Sequence, residues 1–290
     1  MNLTDRIYVG VHVALTVLVC ARYDVVTHGW RYIVWNAVAV AAIVIVARKR
    51  DEAAGWEFAH DWLPLLFFTT VFEEVSFLAL TIRGTWQNEY LVAVESAIFP
   101  AGPSVWLHQH LAAWSSELLE FGYFTFYPLY PAVAGVLWAW RTRPQFAGAF
   151  RKMTDSLSVG YLACYGSYLL FPTRSPSHNA GLTALRPGDS GGPFHVLVRL
   201  IQGRAGVHGN AFPSAHIMLA FVVLMFVCKF LPRVAPWVLI PILLMCAAAV
   251  YDGYHYASDV VAGGLIGIAV ASVYIARMPA PKRNPPAREG

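Results

Sequence analysis

The sequence predicts an all-α integral membrane protein with about eight transmembrane helices, and three observations support this fold class. Hydrophobic residues make up 57% of the 290 residues and charged residues only 13%, and the mean hydropathy is +0.51. A chain of this length with so few polar residues cannot cover the surface of a water-soluble globule. Eight apolar segments approach the roughly 20 residues that a helix needs to cross a bilayer. They lie at residues 7–22, 31–48, 62–82, 122–140, 155–172, 211–230, 234–252 and 256–277.

The distribution of basic residues predicts how these segments are oriented. If the N-terminus is cytoplasmic, fourteen of the 21 Lys and Arg residues, including Arg48–Arg50, fall on the cytoplasmic side. The positive-inside rule then places both termini in the cytoplasm, and we expect a multi-pass protein of the plasma membrane. Topology therefore explains the net charge of +4, which indicates no nucleic-acid partner. The chain divides into N-terminal helices with an external interfacial helix (1–121), a helical core (122–277) and a basic cytoplasmic tail (278–290).

The first apolar segment has no small-residue cleavage site, so we expect a retained span rather than a signal peptide. A long external stretch follows span three, and its centre, Trp106–Glu120, has the apolar spacing of a helix that lies in the membrane interface. His108 and His110 in this stretch point to different helix faces and have no third ligand nearby, which indicates surface histidines rather than a metal site. The four cysteines lie in apolar segments, and none is at metal-ligand spacing from another ligand, so we expect no disulfide and no metal site. We also expect no cofactor.

Span three carries two adjacent carboxylates, Glu73 and Glu74, near its middle. Charged groups in hydrocarbon are costly, so at least one of them should face a cavity or a cationic partner. Two interpretations stay open at this point. The pair has a structural role, protonated or paired with an arginine, or it lines a polar pocket for a lipid headgroup.

The external loop from residue 171 to 209 is rich in arginine and predicts an anionic substrate, because guanidinium groups bind phosphate in bidentate fashion. Its arginines are Arg174, Arg186, Arg199 and Arg204. The same loop contains Gly188–Pro193, which reproduces the hexapeptide around the nucleophile of chymotrypsin-like serine proteases. Those proteases need two β-barrels, and no strand-rich region is present here to form them. A glycine-rich turn is therefore the favoured interpretation of this hexapeptide.

Two short polar stretches at the mouths of apolar segments carry the strongest chemical signal. His255 and Asp259 are four residues apart at the start of a helix, so their side chains share one face. A carboxylate bonded to one ring nitrogen raises the basicity of the other, which suits a histidine nucleophile. Asp252 competes for this role, but it precedes the helix, and we favour Asp259.

The second stretch places His216 one turn into the sixth apolar segment, on the same side of the membrane. From there it can act as a general acid that protonates a leaving alkoxide. Asn210 or Ser214 is expected to cap this helix, and the amides at its start offer donors for phosphate oxygens. These elements are distant in sequence, yet the topology brings them to one membrane surface.

Pro213–His216 and His255–Asp259 resemble the second and third signature motifs of the type 2 phosphatidic acid phosphatase superfamily, and the resemblance covers residues 172–264. It implies a helical catalytic core within 122–277 and a metal-independent reaction. In such a reaction His255 forms a phosphohistidine, Asp259 supports it, and His216 donates the proton. The resemblance also implies that Ser214 donates a hydrogen bond to the phosphate.

The chain departs from the superfamily pattern in its cations. Where the phosphatases usually carry a Ser-Arg pair it has Ala248 and Ala249, and the first motif, Lys-x6-Arg-Pro, is incomplete at Arg186 and Arg174. This pattern, with the aromatic run Tyr123–Pro128, is more similar to the inositol-phosphoceramide synthase and sphingomyelin synthase branch. We expect Arg174 to bind phosphate, with Arg186 and Arg204 as further candidates.

Together these features predict an enzyme that acts on a membrane lipid phosphate at the external face. Water as the second substrate gives a phosphatase, and a lipid hydroxyl as acceptor gives a headgroup transferase. A different class, a non-catalytic transporter or scaffold with Glu73 and Glu74 in its pathway, also stays open. The polar cluster of His216, His255 and Asp259 argues against it, because such a cluster is costly in a membrane protein without a catalytic role. The sequence does not indicate which oligomeric state the protein has.

Overall fold

A computed structural model describes residues 1–99, 102–111, 114–178, 192–205 and 209–278, without the side chains of residues 202–205. The described residues form helices and no strands, which confirms the predicted fold class. The helices are α1 (Leu3–Ala21), α2 (Gly29–Lys49), α3 (Ala54–Leu78), α4 (Leu80–Arg83), α5 (Asn88–Ile98), α6 (Pro103–His110), α7 (Ser115–Phe124), α8 (Phe126–Ala139), α9 (Ala149–Leu170), α10 (Pro193–Ala205), α11 (Ala215–Phe230), α12 (Ala235–Tyr251) and α13 (Ala257–Ala276).

Six of the eight predicted apolar segments each coincide with one helix, whereas 62–82 covers parts of α3 and α4, and 122–140 covers the end of α7 and all of α8. Four helical segments within the described ranges are long and apolar enough to cross a membrane: α1, α2, α3 together with α4 (Ala54–Arg83), and α13. The pair α5 and α6, bent by 52°, counts as a fifth if it forms one broken span. Helices α11 and α12 are apolar but shorter. The count of eight spans therefore stays a prediction.

The external segment after span three differs from the single helix expected over Trp106–Glu120. Helix α6 ends at His110, where Leu111 leaves the helical conformation (φ −94°, ψ 137°), and α7 begins at Ser115. Helix α7 packs closely on α12, since a Cβ added at Gly122 would lie 2.4 Å from Leu244 Cβ. The second half of the segment thus belongs to the packed bundle because a glycine lets the two helices touch.

Helices α9, α11 and α13 form the centre of the bundle around the functional site. The contact between α11 and α13 depends on two glycines of α13: added Cβ atoms at Gly263 and Gly267 would lie 2.4 Å from the Ser214 carbonyl oxygen and 2.5 Å from that of Met218. Small residues at such positions let membrane helices approach closely enough for backbone contact. This contact fixes the start of α13 beside the start of α11.

A methyl group at Gly263 is therefore expected to separate the two helices. Gly263→Ala should lower the free energy of unfolding by about 1–3 kcal/mol, as overpacking does, because the Ser214 backbone cannot move aside. Gly264→Ala is the matched control, since its nearest neighbour is the Phe221 ring at 3.4 Å. Thermal unfolding of both variants in detergent measures the effect, and equal melting temperatures for the two would contradict this account.

Candidate functional site

Three chain segments meet at one end of the bundle: the residues after α9, the loop before α11 and the loop between α12 and α13. The loop before α11 is held by residues of and after α9. Thr173 O accepts from Ala211 N (3.2 Å), and Thr173 Oγ1 accepts from Phe212 N (2.9 Å). The Tyr168 hydroxyl donates to Pro213 O at 2.8 Å. These bonds satisfy the irregular backbone and hold the loop against α9.

His255 lies in the loop before α13, and its side chain is buried. Its Nδ1 donates to Ala211 O (3.1 Å) and faces Asp259 Oδ2 at 3.3 Å. A carbonyl oxygen only accepts, so Nδ1 carries the proton and Nε2 keeps its lone pair. Burial lowers the pKa of His255 to about 4, against the opposing effect of the bond to the Ala211 carbonyl. The imidazole is therefore neutral at pH 7, with Nε2 free to act as a nucleophile.

Asp259 is fully buried and connects the two helix starts. Its Oδ2 accepts from Tyr256 N at 2.8 Å as well as facing His255. Its backbone oxygen accepts from Ser214 N at 3.1 Å, which joins α13 to α11. The carboxylate is thus placed to fix the His255 tautomer. Asp252, the competing candidate, is the C-cap residue of α12.

His216 is the second residue of α11, and its ring centroid lies 6.0 Å from that of His255. Aromatic rings surround it: Phe126 at 4.6 Å, Phe72 at 6.0 Å and Tyr123 at 6.2 Å between centroids. The ring makes no hydrogen bond to any residue in the described ranges. Packing therefore orients this imidazole, and its nitrogens are available to a ligand.

Ser214 is the N-cap of α11, where the sequence left a choice between Ser214 and Asn210. Its Oγ accepts from Ile217 N at 3.4 Å, so its own proton can be donated to a phosphate oxygen. Asn210 adopts a left-handed backbone conformation (φ 68°) and donates through Nδ2 to Phe72 O at 3.0 Å. Its buried Oδ1 has no partner among the described residues. The start of α11, with Ser214 as its N-cap, and the two histidines thus lie at the same end of the bundle.

Arg174 follows Thr173, which holds the loop before α11, and so lies at the same end of the bundle. The Asn88 side chain makes two hydrogen bonds to the Arg174 backbone. Asn88 Oδ1 accepts from Arg174 N at 3.0 Å, and Asn88 Nδ2 donates to Arg174 O at 2.6 Å. Asn88 Nδ2 also donates to the Tyr256 hydroxyl at 3.2 Å. The guanidinium stacks on Trp86 with 4.4 Å to the ring centroid, and its buried Nε has no partner in the described part of the chain. Arg186 lies outside the described residues, and so does the side chain of Arg204.

Comparison with known protein families matches residues 132–283 to the PAP2 superfamily. This chain belongs to the PAP2 superfamily. The match includes His216, His255 and Asp259 and runs from α8 to beyond α13. One similar protein is the lipid A 4'-phosphatase of Bacteroides thetaiotaomicron, 38% identical over 88 residues. That similarity covers 29% of this chain and only 37% of the relative. No solved structure matches the chain.

Two carboxylates of this PAP2 protein, Glu73 and Glu74, lie in different surroundings. Glu74 is buried between α1, α2 and α3, where its Oε1 accepts from Asn36 Nδ2 at 2.8 Å. The Asn36 Oδ1 in turn faces His12 Nδ1 at 2.5 Å. Glu73 is half-buried and makes no hydrogen bond to the described residues. It follows Phe72, whose ring contacts His216 at 6.0 Å between centroids.

Two residues that the sequence analysis did not single out, Glu120 and Tyr254, form a hydrogen-bonded pair next to His255. Glu120 is fully buried on α7, and its Oε1 accepts from the Tyr254 hydroxyl and from His195 Nδ1, both at 3.0 Å. Its Oε2 is buried without a partner in the described ranges. Tyr254 precedes His255, and its ring lies 4.8 Å from Tyr123. The sequence could have pointed to Tyr254, because it adjoins the histidine motif. It could not have pointed to Glu120, because that residue lies in the segment expected at the membrane interface.

His108, considered above as a surface residue, packs its ring on Tyr251 at 4.1 Å between centroids. Within the residues that the structure describes, no group of three or more His, Cys, Asp and Glu side chains is arranged to hold a metal ion.

Proposed function

We propose that this PAP2 protein is a membrane-embedded lipid phosphatase that acts through a phosphohistidine on His255, without a metal ion. The observation that carries the proposal is the position of the His255 ring. Its Nδ1 is committed to Ala211 O and Asp259, and its Nε2 has no hydrogen-bond partner among the described residues. The His216 ring lies 6.0 Å away between centroids. A nucleophile and a proton donor this close together suit displacement at phosphorus.

In the first step His255 Nε2 attacks the phosphorus, and the bond from phosphorus to the lipid oxygen breaks. The leaving alkoxide takes a proton from His216, and the phosphoryl group stays on His255. Asp259 stabilises the positive charge that develops on the phosphorylated ring. Ser214, the first amides of α11 and Arg174 bind the phosphate oxygens. Arg186 and Arg204 stay further candidates for this role.

In the second step His216, now neutral, takes a proton from a water molecule. The water oxygen attacks phosphorus, the bond to Nε2 breaks, and inorganic phosphate leaves. His255 returns to its neutral form and His216 is protonated again, so protons and charge balance over the cycle. The similarity to a lipid A 4'-phosphatase supports water as the acceptor and a lipid phosphate as the substrate.

The site is proposed to open on the external face of the plasma membrane, with both termini in the cytoplasm. The end of α9 and the starts of α11 and α13 share one end of the bundle, which the basic-residue distribution assigns to the outside. We assign the catalytic core to 122–277, with 1–121 as a helical N-terminal unit and 278–290 as a tail. Glu73 is proposed to contact the headgroup of a lipid that enters beside α3.

A headgroup transferase is the second candidate, and one observation favours it. Ala248 and Ala249 are fully buried, and the Ala249 carbonyl accepts from His255 N at 2.8 Å, so no cation stands where the phosphatases usually have arginine. A site with fewer cations suits a phosphodiester, which carries one negative charge, and a lipid hydroxyl would then take the place of water.

One experiment tests both candidates. Purified protein in detergent with EDTA is given lipids labelled with ³²P in the headgroup phosphate, with and without a lipid alcohol as acceptor. Release of inorganic phosphate supports the phosphatase, and label in a new lipid product supports the transferase. If folded protein forms neither product, both enzymatic candidates are refuted and the non-catalytic alternative remains.

Arg174→Gln is expected to raise KM about tenfold or more, because it removes a charge-assisted hydrogen bond to phosphate. The effect on kcat should be smaller, since the arginine binds substrate and product phosphate alike. Arg83→Gln is the matched control, as this exposed arginine at the same end of the bundle donates to Leu170 O at 3.0 Å. Steady-state kinetics on a short-chain lipid phosphate measures the difference, and equal KM values for both variants would rule out this role of Arg174.

A further inference from the structure

A cavity with charged side chains in its wall lies at the opposite end of the bundle from the histidines, where α1, α2 and α3 meet the start of α9. Its volume is about 170 Å³, and its wall includes Arg50, Arg141, Arg151, Glu57, His60 and Asp61. Thr154 in this wall and Tyr168, which contacts the loop before α11, are fourteen positions apart on α9. That is about 21 Å along the helix. The cavity is therefore independent of the proposed catalytic site.

Most charges in the cavity wall already have partners. Arg141 pairs with Glu57 through Nε (3.3 Å) and Nη2 (3.4 Å). The His60 ring lies between two carboxylates, with Nε2 3.2 Å from Asp5 and Nδ1 3.3 Å from Asp61. Carboxylates only accept, so both ring nitrogens donate and His60 carries a positive charge. These pairs form the frame of the cavity and need no ligand.

Two arginines in the wall have unused donors. The Arg50 Nε is buried without a hydrogen-bond partner in the described part of the chain, and its Nη2 lies 3.8 Å from Asp61 Oδ1, too far for a hydrogen bond. Arg151 is exposed and makes no hydrogen bond within the described ranges. Gly148 is the N-cap of α9 and lies in the cavity wall, where it provides no side-chain cap. The positive end of that helix therefore adds to the same field.

We infer that this cavity binds the phosphate group of an anionic ligand through Arg50 and Arg151. Guanidinium groups match phosphate oxygens in bidentate geometry, and a buried Nε without a partner is costly until such a ligand arrives. The cavity can hold a phosphate group together with water. This end of the bundle is predicted to face the cytoplasm. The bound phosphate group would therefore belong to an anionic phospholipid or be soluble phosphate.

Binding can be measured without turnover, so the test is independent of the proposed catalytic activity. The melting temperature of the full chain is followed while phosphatidylglycerol is raised in phosphatidylcholine nanodiscs, and while inorganic phosphate is raised in detergent. Arg50→Gln and Arg151→Gln remove the two donors. Arg48→Gln is the control, because this exposed arginine lies two residues from Arg50 and outside the cavity wall.

The ligand is expected to raise the melting temperature of the native chain. The apparent dissociation constant should increase about tenfold or more in Arg50→Gln and Arg151→Gln. It should be unchanged in Arg48→Gln. A shift with phosphatidylglycerol alone identifies a lipid headgroup, and a shift with inorganic phosphate alone identifies a soluble ligand. The inference fails if neither probe shifts the melting temperature, or if all three variants bind as the native protein does. Arg151→Gln keeps the test decisive if Arg50→Gln does not fold, because Arg151 is exposed.

Discussion

Replacing His255 with alanine is expected to lower phosphate release by at least about 10³-fold, because the variant has no atom to carry the phosphoryl group. The substitution leaves Asp259 and its bond from Tyr256 N in place. Two measurements check the result: the rate of phosphate release in EDTA, and the ³²P bound to protein after a rapid quench. Both should be lost together, because both depend on the phosphohistidine. The quench is alkaline, since a phosphohistidine is acid-labile and stable in base.

The control is His110→Ala, which removes an exposed imidazole stacked on Trp106 at 4.4 Å between centroids. It should keep native activity and native labelling. Asp259→Asn keeps the size of the side chain but removes its charge, so we expect a partial loss in kcat with little change in KM. Protein-bound label that persists in folded His255→Ala would show that another residue is the nucleophile.

Replacing His216 with glutamine is expected to produce a loss that depends on the leaving group. Release of an alkyl lipid alcohol should fall about 10²- to 10⁴-fold, the range of general acid catalysis. An aryl phosphate such as 4-nitrophenyl phosphate leaves without a proton, so its first step should fall much less. The phosphohistidine should then accumulate, because the variant lacks the base that activates water. Burst kinetics with both substrates separates the two steps.

Phe126→Leu provides the control for packing, because it removes the nearest ring contact of His216 (4.6 Å) and keeps the imidazole. Its effect on the alkyl and the aryl substrate should be equal and small. An equal loss for both substrates in His216→Gln would mean that His216 has a structural role only. The ratio of the two rates, rather than either rate alone, therefore decides the role of His216.

The sequence by itself determined the features that depend on neighbouring residues. All eight apolar segments coincide with helices, because hydrophobic length and helical propensity act along one stretch of chain. The spacing of His255 and Asp259 predicted that their side chains meet, and the structure has them 3.3 Å apart. The expected shared helix face was wrong, because His255 lies in the loop before α13. The number of helices that cross the bilayer did not follow from the segments, since α11 and α12 are short.

Only the tertiary structure decided what surrounds these residues. The Glu120 carboxylate meets the Tyr254 hydroxyl across 134 positions of sequence, and Asn36 meets Glu74 across 38. The segment that contains Glu120 has the apolar pattern of an interfacial helix, but close approach at Gly122 packs it on α12. Hydrophobic periodicity indicates that a face is buried, whereas the partner of that face depends on how whole helices pack. The identity of the partner is therefore a property of the folded chain.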